Sequence, residues 1–379
     1  MITYCQYWLT PTMISPVASI AGMYTPMSVP IMEPRPPNRL APPSTTAVMT
    51  VRLSSGCPEI VVVPKYARFK IPARPAISPL SPYTLIRCRS THTIGLLVDD
   101  IANPFFATLA RAVEDAARLH SCVVLIGSSN DSLAREREVI AAFCARRVDG
   151  VILVPTAGNH RFLRAQQELG VKIVCVDRPA ANLEVDTVLV DNRHGAYAAV
   201  RHLIGHGHRR IAYLGDREDI WAVRERYAGF VEALAEDGLT PDPALVRHGL
   251  RGKAEAAQAA AALIRQPVPP TAIFASNDLV TMGVIDSLQD AGRAGPAGDG
   301  SGRGHGLARV ALVGFDEFPL ADKLTPPVTV VAQDPAAIGA TAAQLLFARI
   351  GGDTSPPRDL VLLTRLLARG SGEIAPAVV

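Results

Sequence analysis

The 379-residue chain is short of most of the motifs that announce chemistry. Its six cysteines (Cys5, Cys57, Cys88, Cys122, Cys144, Cys175) form no CxxC pair. Cys122 and Cys175 sit inside apolar, strand-like runs, where a free thiol acts as a small hydrophobe, and a reduced, intracellular setting fits best. No Gly-x-Ser-x-Gly turn offers a nucleophile. The glycine-rich stretch 292–306 does not stand between a strand and an immediate helix start, as a phosphate-cradling loop must. Residues 1–32 carry no charged side chain, so no basic signal-peptide region opens the chain. Pro11, Pro16, Pro26 and Pro30 break that segment too often for a membrane helix. A soluble cytoplasmic protein is expected, with no metal, no cofactor, no membrane contact and no enzymatic activity.

What is present divides near residue 90. Residues 1–90 hold nine Lys/Arg against two Asp/Glu, no histidine, and 15 of the 31 prolines. Residues 91–379 hold 29 Lys/Arg against 33 Asp/Glu and all nine histidines. The first segment has no helical periodicity, so a disordered, basic, Pro-rich tail is the simplest reading. A nucleic-acid-binding arm is less well supported, because its cations are scattered.

From residue 93 the pattern is regular. The run 94–98 is apolar, too short for a helix and bounded by Asp99-Asp100, so it reads as a buried strand. Asn103-Pro104 then supplies a helix cap and a first-turn proline. Phe106, Leu109, Ala110, Val113, Ala116 and Ala117 follow at helical spacing. This strand–turn–helix unit repeats, and most strands end in a polar residue: Asp99, Ser128, Asp177, Asp191, Asp216, Asn277, Asp316. Ligands of parallel sheets bind beyond such ends. Two series, breaking near residue 190, predict an α/β fold of two doubly wound lobes facing each other across a cleft. Carboxylates and amides there suit a small, hydroxyl-rich ligand. His202, His206 and His208 bracket a helix end without a matching acid, and a surface loop is expected over 292–306. Trp221 reads equally as a stacking platform or a core residue.

The runs TIGLLVDDIANPFF, VDNRHGAYAAVRHLIGHGHRRIAYLGD, RERYAGF, IFASND, ALVGFDEFPLADKLTPPVTVVAQD and TRLLARGSG together resemble the effector-binding core of the LacI/GalR family of bacterial transcription regulators over residues 91–372. The resemblance implies a periplasmic-binding-protein-type core, with an N-lobe of 93–190 plus 335–363 and a C-lobe of 191–334 plus 364–372. It implies effector contacts from Phe105, Phe106, Trp221, Arg226, Asn277 and Asp316, with Asp191 and Gln333 near the crossovers. It also implies a repressor that binds operator DNA as a homodimer and senses a sugar-like effector. The alternative on the same fold is a transporter's solute-binding protein. Family members start with a helix-turn-helix headpiece of roughly sixty residues. Residues 1–90 show no such pattern, and out-of-frame translation in place of the headpiece is the explanation expected from the compositional switch.

Overall fold

The computed structural model describes residues 90–294 and 310–376. The expectations for the Pro-rich segment, as tail, arm or displaced reading frame, lie outside the described residues apart from Ser90. Most of the glycine-rich stretch does too, but its residues 292–294 prolong a helix rather than opening a loop.

The chain starts with β1 (Thr93–Val98), α1 (Pro104–Leu119), β2 (Val123–Ser128), α2 (Leu133–Ala145), β3 (Gly150–Leu153), α3 (Leu163–Glu168), β4 (Lys172–Val176) and β5 (Asp186–Val190). Asn103 caps α1 through Phe105 N–H and Pro104 stands in its first turn, as their order in the sequence implies. A second series follows: α4 (Asn192–Gly205), β6 (Ile211–Leu214), α5 (Trp221–Glu236), β7 (Val246–Arg247), α6 (Lys253–Ile264), β8 (Ala272–Ala275), α7 (Asp278–Ala294), β9 (Ala311–Phe315) and β10 (Thr329–Ala332). The chain closes with α8 (Pro335–Ile350), β11 (Asp359–Leu362) and β12 (Arg365–Leu367).

Two six-stranded sheets result, in the orders β2-β1-β3-β4-β5-β11 and β7-β6-β8-β9-β10-β12. The first is wholly parallel, and in the second only β12 runs antiparallel, against β10. The chain therefore passes between lobes after β5, after β10 and between β11 and β12. Both faces of each sheet are covered by helices, which is why the central strands are continuous apolar runs. In the first lobe Ile94, Leu96 and Val98 pack on α1 and α8, while Leu97, Val151 and Leu153 pack on α2 and α3. In the second, Leu214, Ile273 and Leu312 face α6 and α7, and Tyr213, Phe274 and Phe315 face α4 and α5. Each fully buried side chain of this size stabilises by about 1.5–3 kcal/mol. Strand β2 is an exposed edge instead, and Cys122 precedes it rather than belonging to it.

Polar groups fasten β5, α8 and β11 within the first lobe and join the first crossover to the last. Asp186 accepts two bonds from Arg349, from Nε at 2.6 Å and Nη2 at 2.8 Å, and a third from the Arg358 N–H. Burial alone would raise its pKa, but these bonds outweigh it and hold the carboxyl below the usual range. Asp191 accepts from the Thr364 N–H at 2.6 Å, joining the first crossover to the last.

Candidate functional site

The carboxyl ends of both sheets open on one cavity of about 250 Å³. The first lobe contributes Asp99, Asp100, Asn103, Phe105, Phe106, Asn130, Asp131, Asp177 and Arg178. The second contributes Asp216, Ile220, Ala222, Val223, Arg226, Arg251, Asn277, Asp278, Leu279 and Asp316, with Gln333 from the second crossover. That volume lies below the roughly 300–1,000 Å³ of drug-sized sites, so the fitting ligand is small.

Arg226, on the buried side of α5, is the best-held cation in it. Its Nε donates to Asn192 Oδ1 at 2.7 Å, and Nη1 donates to the Ser276 carbonyl at 2.5 Å and to Asp316 Oδ2 at 3.3 Å. The guanidinium carbon also lies over Phe315, 3.8 Å from the ring centroid. A planar fork fixed this way is pre-organised for paired contacts. Asp316 follows β9 with φ 72 and takes a second bond from the Gln333 amide. Asn277 spends its side-chain oxygen capping α7, through Val280 N–H at 2.8 Å, which leaves its NH₂ as a donor.

The first lobe builds a counterpart. Arg178 donates from Nε to Asp177 at 3.0 Å and from Nη1 to Asp131 at 3.2 Å, with all three side chains nearly buried. Phe105 and Phe106 meet edge to face, 5.1 Å apart, and form the aromatic part of the wall. Asp278 Oδ2 and Gln333 Oε1 are buried and have no hydrogen-bond partner among the described residues. Both are acceptors of residues on the cavity wall, and a hydroxyl-bearing ligand would supply the donors they lack.

Acids outnumber cations here, and the carboxyls respond. Burial pushes Asp316 up to about 6 against the opposing pull of Arg226, and Asp278 adds to the rise. Burial, with Asp131 beside it, likewise pushes Asp99 up to about 6. Asp216 and Asp278 are also raised, chiefly by burial.

Of the residues named from sequence, Phe105, Phe106, Arg226, Asn277 and Asp316 come together on this cavity. Trp221 does not. It opens α5 and lines two neighbouring crevices, one between α4 and α5 and one reaching Pro155 and Pro179 of the first lobe. Helical spacing explains the displacement: Arg226 is five residues on, more than a full turn, so the two side chains leave α5 on different sides. Asp191 is likewise off the cavity, whereas Gln333 is on it. His202 and His208 are spent on the chain's end, on Glu373 and on the Ile374 carbonyl. Sequence reading passed over Arg178, Asp131 and Asp278 as site residues. The signal for Arg178 was the repeat itself, because Asp177 ends the fourth strand of one lobe as Asp316 ends that of the other.

A family model described as periplasmic binding proteins and sugar binding domain of LacI family matches residues 91–369. The chain is 28% identical over 291 residues to the transcriptional repressor CytR of Escherichia coli, covering 77% of this chain and 82% of that one. Among solved structures it is 33% identical to a putative ribose operon repressor from Burkholderia thailandensis, with TM-score 0.63, covering 73% of this chain and 98% of that one. It is 28% identical to a LacI family regulator from Enterococcus faecium with bound ribose, with TM-score 0.63, covering 76% of this chain and all of the other. Two three-layer lobes, three crossovers, a cavity at the strand ends and these matches agree: the chain belongs to the LacI family of transcription regulators.

Proposed function

We propose that this protein is an effector-responsive repressor whose cleft takes a neutral monosaccharide of pentose size. The observation that carries the reading is the doubled Asp–Arg arrangement, Asp177 with Arg178 and Asp316 with Arg226, on opposite walls of one small cavity. A carboxylate accepts from two hydroxyls and a guanidinium donates to two oxygens, so each pair reads adjacent hydroxyls. Phe105, Phe106, Asn277, Asp316 and Arg226 are the effector contacts proposed, joined by Arg178, Asp278 and Gln333. One similar structure holds bound ribose and another is a putative ribose operon repressor, which supports the same ligand class. The relatives named above are repressors and regulators, which favours this reading over a transporter's solute-binding protein.

A ligand held by both lobes shifts their relative orientation, and in a homodimer that changes the presentation of operator-binding segments. Couplings of this kind are typically ~1–3 kcal/mol. Operator DNA and a second copy of the chain are the partners this reading requires, in the cytoplasm. No DNA-contacting residue is assigned among the described residues. Among those residues no helix is long and apolar enough to cross a membrane. Fluorescence anisotropy with DNA from the gene's own upstream region, with and without each of a panel of pentoses and hexoses, tests the reading. One sugar should change the DNA affinity, and DNA binding indifferent to the whole panel would refute it.

A further inference from the structure

Among the described residues, polar contacts join the lobes directly at two places: Asn103 Nδ2 donates to Asp278 Oδ1 at 3.3 Å, and Arg217 Nη1 lies 3.7 Å from Asp131 Oδ2. The second is unusual in its setting. Asn130 and Asp131 are consecutive non-glycine residues in the left-handed region, with φ 49 and 54, which short polar side chains adopt more readily than others but seldom in succession. Asp131 is held there by its side chain, 9% exposed, whose other oxygen accepts from Arg178 at 3.2 Å. Arg217, 27% exposed, is fixed in turn by its own lobe, where Asp219 accepts from Nε at 2.8 Å and also pairs with Nη2. One carboxylate thus joins a cation of the effector cavity to a cation of the opposite lobe.

We infer that Asp131 is a positioning residue for effector binding: it orients Arg178 in the cavity and, through Arg217, latches the two lobes together around the ligand. The latch also supplies a counter-charge where closure crowds carboxylates, since Asp216 of the second lobe is close enough to Asp131 to feel its charge. This inference rests on the interlobe effector site proposed above.

The test uses the full chain and two readouts. In the unliganded protein, amide exchange is followed by mass spectrometry over residues 129–132, where the Ser129, Asn130 and Ser132 N–H groups are hydrogen-bonded. Arg217→Gln should speed exchange there severalfold although the substitution lies in the other lobe, with β8 unchanged, and Arg217→Lys should restore protection. In calorimetric titrations with D-ribose, Arg217→Gln should weaken binding roughly three- to fivefold. Asp131→Asn should weaken it more, because Arg178 is also released, and the double variant should bind no worse than Asp131→Asn. Unchanged exchange over 129–132 in Arg217→Gln, or fully additive losses in the double variant, would overturn the inference. Failure of the unsubstituted chain to bind D-ribose or any sugar counts against the effector reading instead, and exchange still decides the latch.

Discussion

Asp177 and Asp316 are counterparts in the two lobes. Each ends the fourth strand of its sheet in the left-handed region, at φ 68 and φ 72. Each donates its N–H at 2.9 Å to the next strand, to the Val188 and Val331 carbonyls. Each then meets a buried arginine, Arg178 at 3.0 Å and Arg226 at 3.3 Å. A backbone conformation that costs of order 1–3 kcal/mol is kept at the same place in both halves, on the wall of the shared cavity.

Both effector binding and stability are expected to rest on Arg226. Arg226→Lys keeps the charge but loses the fork over Phe315, so sugar affinity should fall by roughly 100-fold or more. Arg226→Ala leaves the Asp316 carboxylate buried without its cation, and urea denaturation should show a loss of about 3–5 kcal/mol. A neutral outcome in either measurement would remove Arg226 from the site.

The raised carboxyls fix the sign of a pH effect. Asp99 titrates near 6 when folded and near 3.8 when free, so between those values the folded chain holds a proton that the unfolded chain has lost. Its contribution to stability therefore falls as pH rises through that window. Burial lowers the pKa of His208 and His248, and their contribution has the opposite sign. The clean quantity is a difference. Between pH 7 and pH 5, the unsubstituted chain should gain on the order of 1 kcal/mol relative to Asp99→Asn in denaturant titrations. Parallel pH profiles would show that Asp99 is not buried as described.

Trp221 separates the cavity from its neighbours. Because it lines adjoining crevices only, Trp221→Phe should keep sugar affinity within about twofold, whereas Phe106→Ala should lower it clearly. One crevice is shared with Pro155 and Pro179 of the opposite lobe, so Trp221 emission should change as ligand closes the cleft. Measuring it in a Trp8→Phe background removes the chain's other tryptophan.

Helix packing in the second lobe depends on a side chain that is missing. A Cβ on Gly229 would collide with the Arg193 carbonyl, where α5 crosses α4. Gly229→Ala should destabilise by about 1–3 kcal/mol, read from the denaturation midpoint.

Much of this was legible in the sequence because parallel strands covered on both faces are apolar throughout, and strands such as 94–98 and 273–275 cannot be mistaken for surface. The strand-end residues pointed to the cavity for the same reason, and Arg226, Asn277 and Asp316 converge there. Less visible was anything set by register across the two lobes. Asp131 lies in a loop with no apolar pattern, and its partner Arg217 is 86 positions away in another domain-like half. Trp221 read equally as platform or core: its spacing from Arg226 sets the two on different sides of α5, but which of those sides faces the cavity is fixed only when the helix docks. The short strands β7 and β12 carry too few residues to show a period.

Isothermal titration of the chain with D-ribose, other pentoses and hexoses is the most direct measurement of whether a neutral sugar sits between the lobes. The expected result is saturable binding of one sugar per chain, lost in Asp316→Asn and in Arg226→Lys while both variants remain folded. Heat from no member of the panel, or affinity that survives both substitutions, would contradict it.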